Sequence, residues 1–114
     1  MTVLLVMAGG ACGAVLRFAV NRWLSATHFP WATLVVNVAG SLLLGVVAAS
    51  TDGWVFTLLG TGVAGGLTTY SAFALETVLL DRNGRRSAAL LNVAASLVLA
   101  GAAFALGWWS AALA

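Results

Sequence analysis

Residues 53–75 read GWVFTLLGTGVAGGLTTYSAFAL, a run of 23 without one charged side chain. A helix needs about 20 apolar residues to cross a bilayer, so this run is long enough for one span. Its second half is poor helix, however: Gly65-Gly66-Leu67-Thr68-Thr69-Tyr70-Ser71 places two adjacent glycines before two threonines. Two conformations fit these residues. A broken helix would expose carbonyl oxygens at one half's end and amide donors at the other's start, ligands for a cation and an anion respectively. Unwound backbone at mid-membrane depth survives only where it is buried or lines a cavity. A continuous helix would instead use its glycines for close packing.

The same reading extends along the chain. Trp23–Thr51 gives 29 residues and Ser87–Ala114 gives 28 free of Asp, Glu, Lys and Arg. Of 114 residues, 62% are hydrophobic and 7% charged, where soluble domains carry about 25% charged. Five arginines, three acids and no lysine cannot cover a water-facing surface of this size. A soluble enzyme, a nucleic-acid-binding domain and a disordered chain are excluded. The sequence predicts an all-α integral membrane protein, one four-helix transmembrane domain over residues 1–114. Its helices run over Val3–Leu24, Trp31–Ser50, Trp54–Leu80 and Ser87–Trp109. All five tryptophans, Trp23, Trp31, Trp54, Trp108 and Trp109, fall at span ends, where indole rings prefer the headgroup level. No basic residue precedes the first apolar stretch, which reads as a retained helix rather than a signal peptide. Cys12 can close no intramolecular disulfide and reads as a packing residue.

Hydrocarbon satisfies neither hydroxyl nor amide, so polar groups within spans face protein or a watery path. Thr33, Asn37 and Ser41 recur every four residues and share one narrow helical stripe. Asn92 and Ser96 repeat the spacing in the fourth span, and Thr57 and Thr61 in the third. These groups are either interhelical hydrogen-bonding glue or the wall of a pathway. Glu76, the one acid inside a span, is either a gate or vestibule group or a carboxylate reaching the interface. Arg17 lies about 21 Å along the helix from Val3 and is expected to snorkel toward the end that carries Arg22. His28 reads as a solvated loop histidine. No acid pair, Ser-His-Asp set or Walker glycine loop is present.

The segments GGACGAVLRF (Gly9 to Phe18), PWATLVVNVAGS (Pro30 to Ser41) and GGLTTYSAFALE (Gly65 to Glu76) resemble the signature stretches of the Fluc (CrcB) fluoride channels. Length and four-helix plan also match. The resemblance implies a multi-pass protein of the cell (inner or plasma) membrane. It would work as an antiparallel, dual-topology dimer with two anion pathways and a structural sodium ion at the paired breaks of the third helices. Carried over by position, the main-chain carbonyls of Gly65 and Thr68 would hold the sodium. Asn37 would donate its amide to fluoride, and Phe73 would be one of two aromatics whose ring edges face the ion. Thr69, Ser71 and Ser96 would form a nearby polar track, with Thr33 and Ser41 on the same wall. Aromatic edges are the positive part of the ring quadrupole and can contact an anion.

This chain departs from that pattern in three places. Tyr70 stands where the first aromatic is usually phenylalanine. Asn92 stands where a tyrosine is expected, and Ala100 where a serine is expected. These changes motivate a second reading, a non-conducting partner subunit of a heterodimeric channel. A small multidrug-type, proton-coupled transporter also has four spans and an antiparallel dimer. It requires an acid in the first span, where this chain has Arg17.

Four spans place the first and third connections on one side of the membrane, with Arg22, Arg82, Arg85 and Arg86. The opposite side holds Asp52 and no lysine or arginine. Positive loops orient membrane proteins toward the cytoplasm. The chain is therefore expected to insert in one main orientation with both termini outside the cytoplasm. An antiparallel pair would then need an oppositely biased paralogue, whereas a homodimer needs that bias to be overridden. Cysteine labelling at Ser110 in intact cells, on a Cys12→Ala background, checks this. Predominantly external labelling is expected, and equal labelling from both sides would contradict it.

Overall fold

A computed structural model describes residues 1–24 and 29–114; the loop reading of His28 lies outside them. The described residues are helical almost throughout. In chain order they form α1 (Thr2–Trp23), α2 (Trp31–Ser50), α3 (Gly53–Val55), a π-helical segment (Phe56–Ala64), α4 (Gly65–Leu67), α5 (Tyr70–Arg82) and α6 (Arg86–Leu113). Four stretches are long and apolar enough to cross a membrane: Thr2–Trp23, Trp31–Ser50, Gly53–Arg82 and Arg86–Leu113. The chain is a multi-pass membrane protein. Its longest dimension, 46 Å, is close to a bilayer's thickness with headgroups, about 40–45 Å.

Turn chemistry sets the boundaries. Thr51 and Asp52 adopt extended dihedrals after α2, and Gly53 takes a φ of +61° that a side chain would resist. Gly84, at φ +78°, does the same between α5 and α6. There the Asp81 carboxylate accepts from Arg86 Nε at 2.9 Å on the protein surface. Large apolar side chains along every span remain exposed, Leu97, Val98 and Leu106 among them, while Val36 is 1% exposed. That inversion of a soluble core is expected where lipid is the solvent.

Small residues decide which helices touch. α2 packs along α6, while α1 lies on the π-helical segment and α4. A Cβ added at Gly9 would stand 2.3 Å from the Leu58 carbonyl oxygen, and one at Gly13 2.2 Å from that of Val63. The backbones themselves are in contact, which is how helices associate when no hydrophobic force separates protein from lipid. At the other crossing, Gly45 meets the Phe104 carbonyl and Gly107 meets that of Leu42.

The third span differs from one helix over Trp54–Leu80. It carries nine residues of π-helix, shown by Gly65 N–H donating five residues back to the Gly60 carbonyl. It then leaves helical geometry at Thr68 (φ −79°, ψ 157°) and Thr69 (φ −150°, ψ 121°) before resuming at Tyr70. The other three spans agree with the sequence reading to within a turn or so.

Alanine substitution at two glycines of α2 and α6 separates contact from propensity. Gly45→Ala places a Cβ 2.2 Å from backbone and should cost at least about 1–3 kcal/mol. Gly101 meets nothing within 4 Å, so Gly101→Ala should be neutral or stabilising by up to about 1 kcal/mol. Thermal midpoints in detergent report both, and a Gly45→Ala protein as stable as its parent would contradict the packing.

Candidate functional site: the interrupted third span

The interruption leaves backbone groups that no helix satisfies, and each is met by a particular residue. Thr69 is the N-cap of α5, its Oγ1 accepting from Ala72 N–H at 3.2 Å. Its own backbone is held by Asn37. Asn37 Oδ1 accepts from Thr69 N–H at 2.7 Å, and Asn37 Nδ2 donates to the Thr69 carbonyl at 3.1 Å. The side-chain amide thus pairs with one residue's main chain as a neighbouring β-strand would. Thr68 keeps Ala64 satisfied, its N–H and its Oγ1 both donating to that carbonyl at 3.0 Å.

These bonds free two carbonyls. Thr69 N–H would serve Gly65 in a continuous helix but is spent on Asn37. Ala72 N–H would serve Thr68 but is spent on the Thr69 hydroxyl. The Thr68 carbonyl instead faces Arg17, whose Nη1 lies 3.5 Å away. The guanidinium, expected to reach toward the end that carries Arg22, has this carbonyl as its contact. α1 passes directly behind the interruption, with Gly13 against Gly66 and Leu67, and one turn later the guanidinium finds an acceptor.

An open cavity of about 610 Å³ lies in front of the interruption. Asn37, Ser41, Thr69, Tyr70, Phe73 and Ser96 line it together with Gly65, Thr68 and Ala100. The rings of Tyr70 and Phe73 sit 6.2 Å apart, inclined at 48°, and Tyr70 is 81% exposed. The first turn of α5 adds amide donors that have no acceptor within the helix. Among the remaining sequence candidates, Ser71 stands beside the lining, its Oγ 3.4 Å from Thr69 Oγ1. Thr33 and Glu76 are joined away from it, Thr33 Oγ1 donating to Glu76 Oε1 at 2.5 Å and tying α2 to α5.

Asn92, singled out with Ser96 by its spacing in the fourth span, is tied to this neighbourhood through Thr77. It is 0% exposed. Its Nδ2 donates to Thr77 Oγ1 at 2.9 Å, and that hydroxyl donates to the Phe73 carbonyl at 2.8 Å. Asn92 Oδ1 and Ser96 Oγ have no hydrogen-bond partner among the described residues. The four-residue spacing of Asn92 and Ser96 was the available signal; Thr77 as the partner was not visible in it.

The Asn37 clamp has a measurable weight. Asn37→Leu leaves the N–H of Thr69 without a partner and takes one donor from its carbonyl, which as the N-cap of α5 still accepts the first intrahelical bond; it should cost about 1–3 kcal/mol. Asn37→Asp keeps the acceptor and loses the donor, so it should also destabilise. Thermal midpoints of the detergent-solubilised variants test this, and a leucine variant melting with the parent would remove the clamp from the account.

Comparison with known proteins bears on this geometry. The family model described as "CrcB-like protein, Camphor Resistance (CrcB)" matches residues 4–108. The chain is 46% identical over 120 residues to a protein of Frankia casuarinae named fluoride-specific ion channel FluC 1, covering 94% of this chain and 93% of that one. It is 50% identical over 110 residues to FluC 2 of Rhodococcus jostii, covering 95% and 96%. With FluC 2 of Bacillus subtilis, identity is 47% over 106 residues, covering 89% and 79%. The chain belongs to the CrcB family.

Proposed function

We propose that this chain conducts fluoride passively across the cell membrane, letting cytoplasmic fluoride leave, as a subunit of an antiparallel dimer. It is a channel protein and not an enzyme. The observation that carries the reading is the shared lining of Asn37, Thr69, Phe73 and Ser96 around one cavity at the N-terminal end of α5. Fluoride is small and hard and must exchange hydration for donors. One hydrogen of Asn37 Nδ2 is spent on Thr69, which leaves the second for an anion. The Thr69 and Ser96 hydroxyls and the α5 amides extend the donor set, with the positive edge of Phe73 beside them. Thr33, Ser41 and Ser71 would continue the polar wall, and Glu76, fixed by Thr33, would flank it. Relatives named fluoride-specific ion channels, at 42–50% identity, support the ion's identity.

In the proposed dimer the interruptions lie at mid-membrane depth on the two-fold axis, and the carbonyls of Gly65 and Thr68 from each chain hold one sodium ion. Main-chain oxygens suit a dehydrated monovalent cation, and both are freed from helical bonding in this chain. Sodium would share the Thr68 carbonyl with Arg17. A second reading, a non-conducting partner of an oppositely oriented paralogue, is favoured by the one-sided arginines.

Liposomes containing the purified chain alone, loaded with fluoride and monitored with a fluoride electrode, decide between the two. The parent is expected to release fluoride and Phe73→Ile to release it at least about tenfold more slowly. Silence of a folded parent would leave only the partner-subunit reading. Diffraction after ion replacement should show central cation density that survives Thr68→Ser, and its absence would remove the sodium.

A further inference from the structure

Arg17 and Glu76 are the two charged side chains within the spans away from the helix ends. Glu76 Oε1 accepts a hydrogen bond from the Thr33 hydroxyl. The one ion pair among the described residues joins Arg86 to Asp81 at the surface, so no carboxylate neutralises Arg17. Its Nη1 lies 3.5 Å from the Thr68 carbonyl, a long contact better regarded as a charge facing a dipole than as a strong hydrogen bond. Arg17 does not line the cavity, whereas Thr68 does. The guanidinium therefore stands behind the interruption and the cavity in front of it.

The position is over-determined by packing. Gly13 lies within backbone contact of Gly66 and Leu67. Arg17 follows one turn later on the same face, where Thr68 is the next residue of the facing segment. The interruption would otherwise present two opposed ends, the negative carbonyl end of α4 and the positive amide end of α5. A cation against the Thr68 carbonyl offsets the first and leaves the second uncompensated. Such an arrangement would make the potential in front of α5 positive.

From this we infer that Arg17, beside the sodium proposed at the same carbonyl, is the side chain that makes the pathway favour anions, acting as a positioning charge through the Thr68 peptide and never touching the permeating ion. Anion pores draw selectivity from fixed positive side chains along the path; here that charge is placed one peptide behind it. The inference rests on the channel reading and concerns which residue sets its sign.

The test compares Arg17→Gln and Arg17→Lys in liposomes, with assembly checked by thermal midpoint and elution volume. Arg17→Lys is expected to keep fluoride efflux within about threefold of the parent. Arg17→Gln is expected to lose about tenfold or more and to shift the reversal potential away from fluoride toward cations. A folded Arg17→Gln protein with parental flux and reversal potential overturns the inference. So does an Arg17→Lys protein as slow as the glutamine variant, because a planar guanidinium rather than a charge would then be required. If Arg17→Gln fails to assemble, the lysine variant alone carries the test: efflux near the parent's supports the charge, and loss rejects it. A parent that releases no fluoride counts against the channel reading itself, which none of the variant comparisons can mimic.

Discussion

A peptide group in hydrocarbon that finds no hydrogen-bond partner costs several kcal/mol. The double hydrogen bond between Asn37 and the Thr69 main chain is this protein's answer to that cost. Without it, extended backbone at Thr68 and Thr69 has no reason to persist inside a helical span. Most of the site follows from it. Thr69, held extended, becomes the cap of α5. The cap takes Ala72 N–H, and the two diversions release the carbonyls of Gly65 and Thr68. One asparagine thereby converts a continuous ladder into a place where donors and acceptors are both available.

The surroundings are arranged to make that opening possible. Gly40 leaves room for the Thr68 methyl group, since a Cβ there would sit 2.2 Å from it. Gly9 and Gly13 bring α1 into backbone contact behind the interruption. The Thr33–Glu76 bond fixes α5 to α2 beyond it, and the Asn92–Thr77–Phe73 chain fixes α5 to α6. Phe73 is thus held from its own carbonyl while its ring faces the cavity. Polar side chains within the spans here do two kinds of work, and several members of one stripe divide it: Thr33 ties helices together, Asn37 opens the third span, and Ser41 lines the cavity.

The four spans were legible because hydropathy over twenty residues leaves few alternatives, and the tryptophans mark their ends. The interruption was only half legible. Gly65 and Gly66 suit a broken helix and a tightly packed one equally, and the deciding partner, Asn37, lies 32 residues earlier. The π-helical segment was not legible at all, because its composition would serve an α-helix as well. The contact of Arg17 with the Thr68 carbonyl was not legible, because snorkelling takes water as the partner. The glycines of α1 bring a carbonyl nearer. Family resemblance pointed to Asn37, Phe73 and the two carbonyls, but it could not reveal that Asn37 grips the backbone of Thr69.

The contact between Gly13 and the backbone of Gly66 and Leu67 has a consequence beyond packing. Arg17 sits one turn further along the same rigid helix, so the height and distance of its charge are set by how closely α1 can approach at Gly13. Hydrogen in place of a methyl group is the only side chain that allows this approach. If Arg17 sets the sign of the proposed pathway, a residue with no polar atom and no place in the cavity lining governs an electrical property of it. On that inference, enlarging Gly13 would push the Arg17 charge away from the Thr68 carbonyl without altering any charged group.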